Sequence, residues 1–294
     1  MQRLRRVYVV LGASVLMLAG SALGTTTAWA QGAAVDGNPN RGRISINAGV
    51  DFPTDYYFRG IRQETSGFIA QPYAEGTITL YKGGPGFNSL ATTLGIWNSF
   101  QAADTGNSGG PNPKAWYEAD LYGKVSAGFA DMLELALIYT AYLSPNGAFD
   151  RVHELAVNLS FDDSKLLGMW AFSPYMLVAF ELDGHADGAN SGIYMEIGAE
   201  PEFPIYRSIS LSIPLKLGLS LHDYYENPPG HDKPFGYFDL GVSANFPLKF
   251  IPADFGEWVF YAAGHFLAFG NATQAFNNGD ASRFLGIFGI SLSY

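Results

Sequence analysis

The chain ends Arg283-Phe284-Leu285-Gly286-Ile287-Phe288-Gly289-Ile290-Ser291-Leu292-Ser293-Tyr294. Every second residue from Phe284 is apolar or glycine, and Tyr294, Leu292, Ile290 and Phe288 share one face. Most of the residues between them are smaller or more polar, with Arg283 at the start. A period of two running to an aromatic C-terminus predicts the last strand of a transmembrane β-barrel, with one face toward lipid and the other toward a lumen.

Eleven further segments carry the same period. In residues 43–52, Ile44, Ile46, Ala48, Val50 and Phe52 alternate with Arg43, Ser45, Asn47, Gly49 and Asp51. Comparable alternation runs through 67–80, 90–100, 117–129, 133–143, 152–161, 169–182, 192–201, 209–219, 238–246 and 257–267. The expected fold is all-β: an antiparallel up-and-down transmembrane barrel of twelve strands. Compact turns are expected at 130–132, 162–168 and 202–208, with longer connections on the same side at 81–89 and 247–256. Longer loops rich in Gly, Asn, Asp and Pro are expected at 101–114, 183–191, 222–234 and 268–282. Short turns on one side and long loops on the other fit an outer-membrane barrel, and an even strand count puts both termini on the periplasmic side.

The N-terminus is consistent with export. Arg3, Arg5 and Arg6 precede an apolar stretch from Val7 to Leu23, and Ala28-Trp29-Ala30 stands before Gln31. This is the pattern of a cleaved signal peptide. The expected organisation is a signal peptide at 1–30, a short periplasmic segment at 31–42 and the barrel at 43–294, placed in the bacterial outer membrane.

Of 17 Lys+Arg, three lie in the expected leader, so the remainder carries 14 against 27 Asp+Glu. An acidic chain repels phosphates, which argues against nucleic-acid binding. With no cysteine there is neither a disulfide framework nor a thiolate metal site. Mean hydropathy is +0.05, as expected where lumen residues dilute the lipid-facing ones.

Charge separates this reading from a soluble barrel. The less apolar parity collects Arg43, Asp51, Glu75, Glu118, Asp120, Lys124, Glu134, Glu154, Glu181, Glu196, Glu200, Lys216, Asp239 and Arg283, and the apolar parity carries no charge. With Arg59 added and Arg43 and Glu200 set aside, these are the candidate pore-lining residues. Twelve strands lie between the eight that side chains fill and the sixteen that leave an aqueous channel. A narrow pore and a lumen occluded by its own Arg, Tyr and carboxylate side chains are both open. Rings of carboxylates favour cations. The leading expectation is a channel, monomeric and without cofactor, for passive diffusion of small polar solutes with a preference for cations. The alternative is a closed structural or adhesive barrel that binds a partner through its extracellular loops. Outer-membrane lipids and lipopolysaccharide are the expected surroundings.

The stretch Asp55-Tyr56-Tyr57-Phe58-Arg59-Gly60-Ile61-Arg62-Gln63, with Gln71-Pro72 after it, resembles the opening signature of the Gcw_chp family of bacterial outer-membrane proteins. Leu94-Gly95-Ile96-Trp97-Asn98-Ser99 and Glu118-Ala119-Asp120-Leu121-Tyr122 are similar to later elements of that family, so the resemblance covers about 44–125. Arg62 departs from it, standing where a small polar residue is usual. The resemblance implies a barrel and brings no substrate. If strand one continues outward in parity, Tyr56 and Phe58 join the outer aromatic girdle and Arg59 points inward, toward Asp55, Asp120 or Glu118. The other reading makes Arg59 and Arg62 rim charges.

Catalysis is not expected. An outer-membrane phospholipase needs a His-activated Ser, but His153 falls on the lipid-facing parity beside Tyr139, Leu143, Phe180 and Leu182. His222-Asp223 and His231-Asp232 match no defined ligand spacing, and neither does His185-Ala186-Asp187, so no metal is expected. Gly83-Gly84-Pro85-Gly86 reads as a turn.

Overall fold

The structure, a computed structural model, describes residues 42–102, 115–187, 190–206 and 208–294. The expected leader at 1–30, most of the segment at 31–42 and most of the loop at 101–114 lie outside them.

Sixteen strands occur among the described residues. They are β1 (Ile44–Pro53), β2 (Tyr56–Phe58), β3 (Ile61–Glu64), β4 (Ile69–Lys82), β5 (Phe87–Gln101) and β6 (Trp116–Phe129). Next come β7 (Leu133–Leu143), β8 (Val152–Phe161), β9 (Tyr175–Asp183), β10 (Ile193–Ala199) and β11 (Glu202–Tyr206). The remainder are β12 (Ile209–Ser212), β13 (Leu215–His222), β14 (Phe235–Pro247), β15 (Glu257–Phe269) and β16 (Ser282–Ser293).

All but β2 and β3 form one antiparallel sheet in which successive staves pair. β10 with β11, and β12 with β13, each make a single stave, so the barrel has twelve staves. It closes where β1 pairs with both β4 and β16, in register Ala48↔Ala74 and Ala48↔Leu292. Tyr294 completes the seam, exchanging backbone hydrogen bonds of 2.7 and 2.8 Å with Ile46.

The burial pattern is inverted relative to a soluble protein. Leu94, Leu121, Val125, Leu137, Val242 and Phe284 are exposed on the outer wall, while Glu196, Asp239 and His265 are fully buried. Such a wall is stable only against hydrocarbon, where closure leaves no backbone edge unpaired. Outward aromatics cluster near both ends. Phe52 packs on Phe288 and Phe68, and Phe100 stacks on Trp116, at one end. Tyr81, Phe87 and Phe129 pack together at the other, as do Phe246 and Phe260. These are the two interfacial girdles of a membrane barrel.

Three expectations about the wall need correction. The seventh stave starts at Tyr175, not at 169. Residues 162–174 instead hold a helical turn, α1 (Ser164–Leu167), and a 3₁₀ turn at Gly168–Trp170. Asp163 organises them, its carboxylate accepting N–H bonds of about 3 Å from Phe172 and Ser173. Exposed Met169, Trp170 and Phe172 explain why 169–174 reads as apolar strand. Secondly, most of 202–208 is strand: β11 (Glu202–Tyr206) pairs with β12. Thirdly, the ninth stave breaks at Ile213-Pro214, where proline has no N–H for the ladder.

Inside the wall, glycines on one strand make room for tyrosines on the next. A Cβ on Gly95 would lie 2.2 Å from the Tyr122 ring, and one on Gly218 would lie 2.2 Å from that of Tyr237. Gly49 with Tyr73, Gly198 with Tyr175 and Gly289 with Tyr261 repeat the arrangement. Each ring therefore lies flat along the wall, which carries the hydroxyls of Tyr122, Tyr175, Tyr237 and Tyr261 sideways to carboxylates.

Candidate functional site: an inserted hairpin and an acidic lumen

Strand one does not continue outward. β1 stops at Pro53, and Thr54 is held to the rim by N–H donation to Gly286 O at 2.8 Å and by Gly286 N–H donation to its Oγ1 at 3.0 Å. Asp55 then receives Arg283, Nη2 to Oδ1 at 2.5 Å. From there the chain folds into the lumen as the β2–β3 hairpin, with Tyr57↔Arg62 and Phe58↔Ile61 in register. Its two-residue tip is Arg59-Gly60, with φ of 46° and 80°. Two positive φ values make the tight hairpin turn that matches strand twist. Gly60 tolerates this conformation, whereas Arg59 is strained in it, so its surroundings must hold it there.

Those surroundings come from across the barrel. Arg59 donates to both carboxylate oxygens of Glu154, Nη1 to Oε2 at 2.6 Å and Nη2 to Oε1 at 2.9 Å, and both side chains are only 2% exposed. Nη1 also donates to the Tyr224 hydroxyl at 2.8 Å, and the guanidinium lies 4.0 Å from the centre of the Tyr194 ring. Tyr142 donates to Glu154 at 3.2 Å, and Tyr225 donates to the Arg59 carbonyl at 2.8 Å. Burial raises the Tyr224 hydroxyl well above the ordinary tyrosine pKa, with Arg59 opposing it in part, so it stays neutral.

The rest of the hairpin is pinned as firmly. Tyr56 donates to Glu118, Tyr117 donates to Gln63, and Tyr57 stacks on Phe269 at 5.3 Å. The loop between β15 and β16 contains a short helix, α2 (Asn271–Phe276), which ends beside the tip. There Asn277 accepts from Arg62 N–H and donates to Gly60 O, both at 2.8 Å. The placing of Tyr56 and Phe58 in the outer girdle is therefore corrected: they are 1% and 8% exposed and lie inside. Arg59 does point inward, but its partner is Glu154 rather than Asp55, Asp120 or Glu118.

Asp51, Glu118, Asp120, Lys124, Glu154, Glu181, Glu196, Lys216 and Asp239 are all buried on the interior side, with Glu75 and Glu134 part-buried there. Arg283 is at the rim on Asp55. Arg43 is exposed at the opposite end, donating to the carbonyls of Thr79 and Leu80. Tyrosines bring the acids together. Glu196 accepts from Tyr175, Tyr194 and Tyr237 at 2.5, 2.6 and 2.9 Å. Glu75 accepts from Tyr122 at 2.9 Å, and Asp51 accepts from Tyr261.

Sequence reasoning passed over Tyr142, Tyr194, Tyr224 and His265. His265 is fully buried with Nδ1 2.8 Å from Asp239 Oδ1. Its signal was its parity opposite Phe266 and a strand register that sets it two residues from Asp239's partner, Leu267. His153 lies on the outer wall with Nδ1 2.7 Å from the Tyr139 hydroxyl.

The lumen is filled at this level. Trp97, Ala179, Glu196, Asp239 and His265 are inaccessible to a water-sized sphere. Beside the tip, a void of about 10 Å³ lies among Tyr57, Arg59, Gly60, Tyr237 and Leu267. The geometry is that of a barrel closed by its own hairpin.

No protein-family model matches the chain, and no curated protein matches it. Among solved structures it is similar to the COG4313 outer membrane channel from Pseudomonas putida F1, at 10% identity and a TM-score of 0.45, covering 85% of this chain and 94% of that one. It is similar also to the NanC porin (11%, TM-score 0.42, 84% and 98%). A third is the translocator domain of the autotransporter NalP from Neisseria meningitidis (12%, TM-score 0.38, 85% and 88%). At such distances the likeness concerns only the barrel.

Proposed function

We propose that this protein is a monomeric channel of the bacterial outer membrane, set among outer-membrane lipids and lipopolysaccharide, that passes small polar solutes passively and prefers cations. The described state is its closed state, and the β2–β3 hairpin is the closing element. One observation carries this reading: the lumen wall holds many buried carboxylates and few basic side chains. Ionisable groups at membrane depth are costly, and where they persist they mark solute or ion paths. A barrel needed only as a scaffold is filled more cheaply with apolar side chains. The resemblance of 55–63 to the Gcw_chp signature supports the same membrane setting.

The test is conductance in planar bilayers across a potassium chloride gradient. Wild type should open seldom, whereas Arg59→Ala should give frequent steps whose reversal potential reports cation preference. Silence from both folded proteins would remove the channel reading in favour of a structural barrel. Anion-selective steps would refute the assigned role of the carboxylates.

A further inference from the structure

We propose that the cage around Arg59 is a recognition site for guanidinium-bearing solutes, which the hairpin's own side chain occupies as a tethered competitor. The proposal rests on the channel reading and names the solute class that channel favours.

The cage belongs to the barrel rather than to the hairpin. Glu154 comes from β8, Tyr142 from β7, Tyr194 from β10, and Tyr224 from the loop after β13. Three of these are held by contacts independent of Arg59. Tyr142 hydrogen bonds the Glu154 carboxylate, and Tyr194 donates to Glu196, which Tyr175 and Tyr237 fix in turn. Tyr224 packs on Tyr194 at 5.0 Å, and its backbone N–H donates to Ser220 Oγ at 3.0 Å. If the hairpin withdraws, a carboxylate, an aromatic face and a hydroxyl remain in place.

Their arrangement selects a planar cation. Two parallel N–H···O bonds to Glu154 match the guanidinium fork, which an ammonium cannot reproduce. The Tyr194 ring at 4.0 Å presents its negative face to the same plane. Glu181 of β9 and Glu196 of β10 are further acidic side chains buried beside the cage. Arg59 reaches the cage only by adopting a positive φ, whereas a free solute bears no such strain. A short tether confers an effective concentration on the order of millimolar, so free solute should compete in roughly that range. Entry of solute and withdrawal of the hairpin then become one event: the solute replaces the latch.

The experiment is calorimetric titration of methylguanidinium chloride into detergent-solubilised Arg59→Ala protein, whose folding is checked by heat-modifiable migration. Saturable binding at least tenfold tighter than millimolar is expected, since the tether that sets the millimolar range is gone. Wild type should bind at least tenfold more weakly, Arg59→Ala/Glu154→Gln should not bind, and methylammonium should bind at least tenfold more weakly than methylguanidinium. Absence of binding to folded Arg59→Ala, or equal binding by the double variant, overturns the proposal. Should Arg59→Ala not fold, the wild-type background serves, with Ile61→Cys as a reporter of hairpin withdrawal. Methylguanidinium must then speed maleimide labelling, and acceleration no greater than that by sodium at equal ionic strength overturns the proposal. Binding together with silent bilayers would refute the channel and leave the site standing. Conductance without binding would refute the site alone.

Discussion

Replacing Glu154 with glutamine removes one charge and almost no volume, and isolates the Arg59 contact from the others that hold the hairpin in the lumen. The pair is 2% exposed on both sides, so the surface value of 0–1 kcal/mol does not apply. Breaking a buried pair by removing one partner costs about 3–5 kcal/mol, because the other charge stays buried without compensation. Several contacts survive: glutamine Oε1 still accepts from Arg59, and the Tyr194 face and the Tyr224 hydroxyl are unchanged. The lower end, about 3 kcal/mol, is therefore expected. At ~1.4 kcal/mol per decade this raises the withdrawn population about 150-fold. The chain has no cysteine, so Ile61→Cys, buried on the hairpin, supplies a single reporter. A membrane-impermeant maleimide added outside proteoliposomes labels it only when the hairpin leaves. Where reclosing outruns labelling, the rate follows the open population. Glu154→Gln should speed labelling by about two orders of magnitude at unchanged heat-modifiable migration. An increase below about fivefold, the surface-pair range of ~1 kcal/mol, would refute the latch.

The wall yields two further outcomes. Gly95→Val places a side chain where the Tyr122 ring already lies, so unfolding by urea in lipid should show a loss of about 1–3 kcal/mol from overpacking. A loss under ~0.5 kcal/mol, the range of ordinary surface substitutions, would mean the ring is not seated there. Leu137→Arg puts a charge at the middle of a stave on a residue 50% exposed to the outside. A cost of about 2–4 kcal/mol is expected if that face meets lipid, and near-neutrality in the same assay would contradict a membrane-facing wall.

The staves were legible in the sequence because a barrel wall imposes its environment locally. Each residue faces hydrocarbon or lumen by parity alone, so 133–143 and 152–161 coincide with β7 and β8 to the residue. Parity likewise put Asp51, Glu118, Glu154, Glu196 and Asp239 on the inner face without knowledge of any neighbour. It misleads where apolar residues serve another purpose, as at 169–174, where Met169, Trp170 and Phe172 are exposed without being strand. Residues 54–64 show the limit most clearly. Tyr56 and Phe58 continue the period of strand one, and an aromatic ring is equally stable in a headgroup girdle or a packed lumen. What turned the hairpin inward lies far along the chain: Glu154 is 95 residues from Arg59, Tyr224 is 165, and Asn277 is 217 from Gly60. Alternation determined the barrel and its acidic interior. Whether that interior stands open or closed was decided by contacts that exist only once the twelve staves have met.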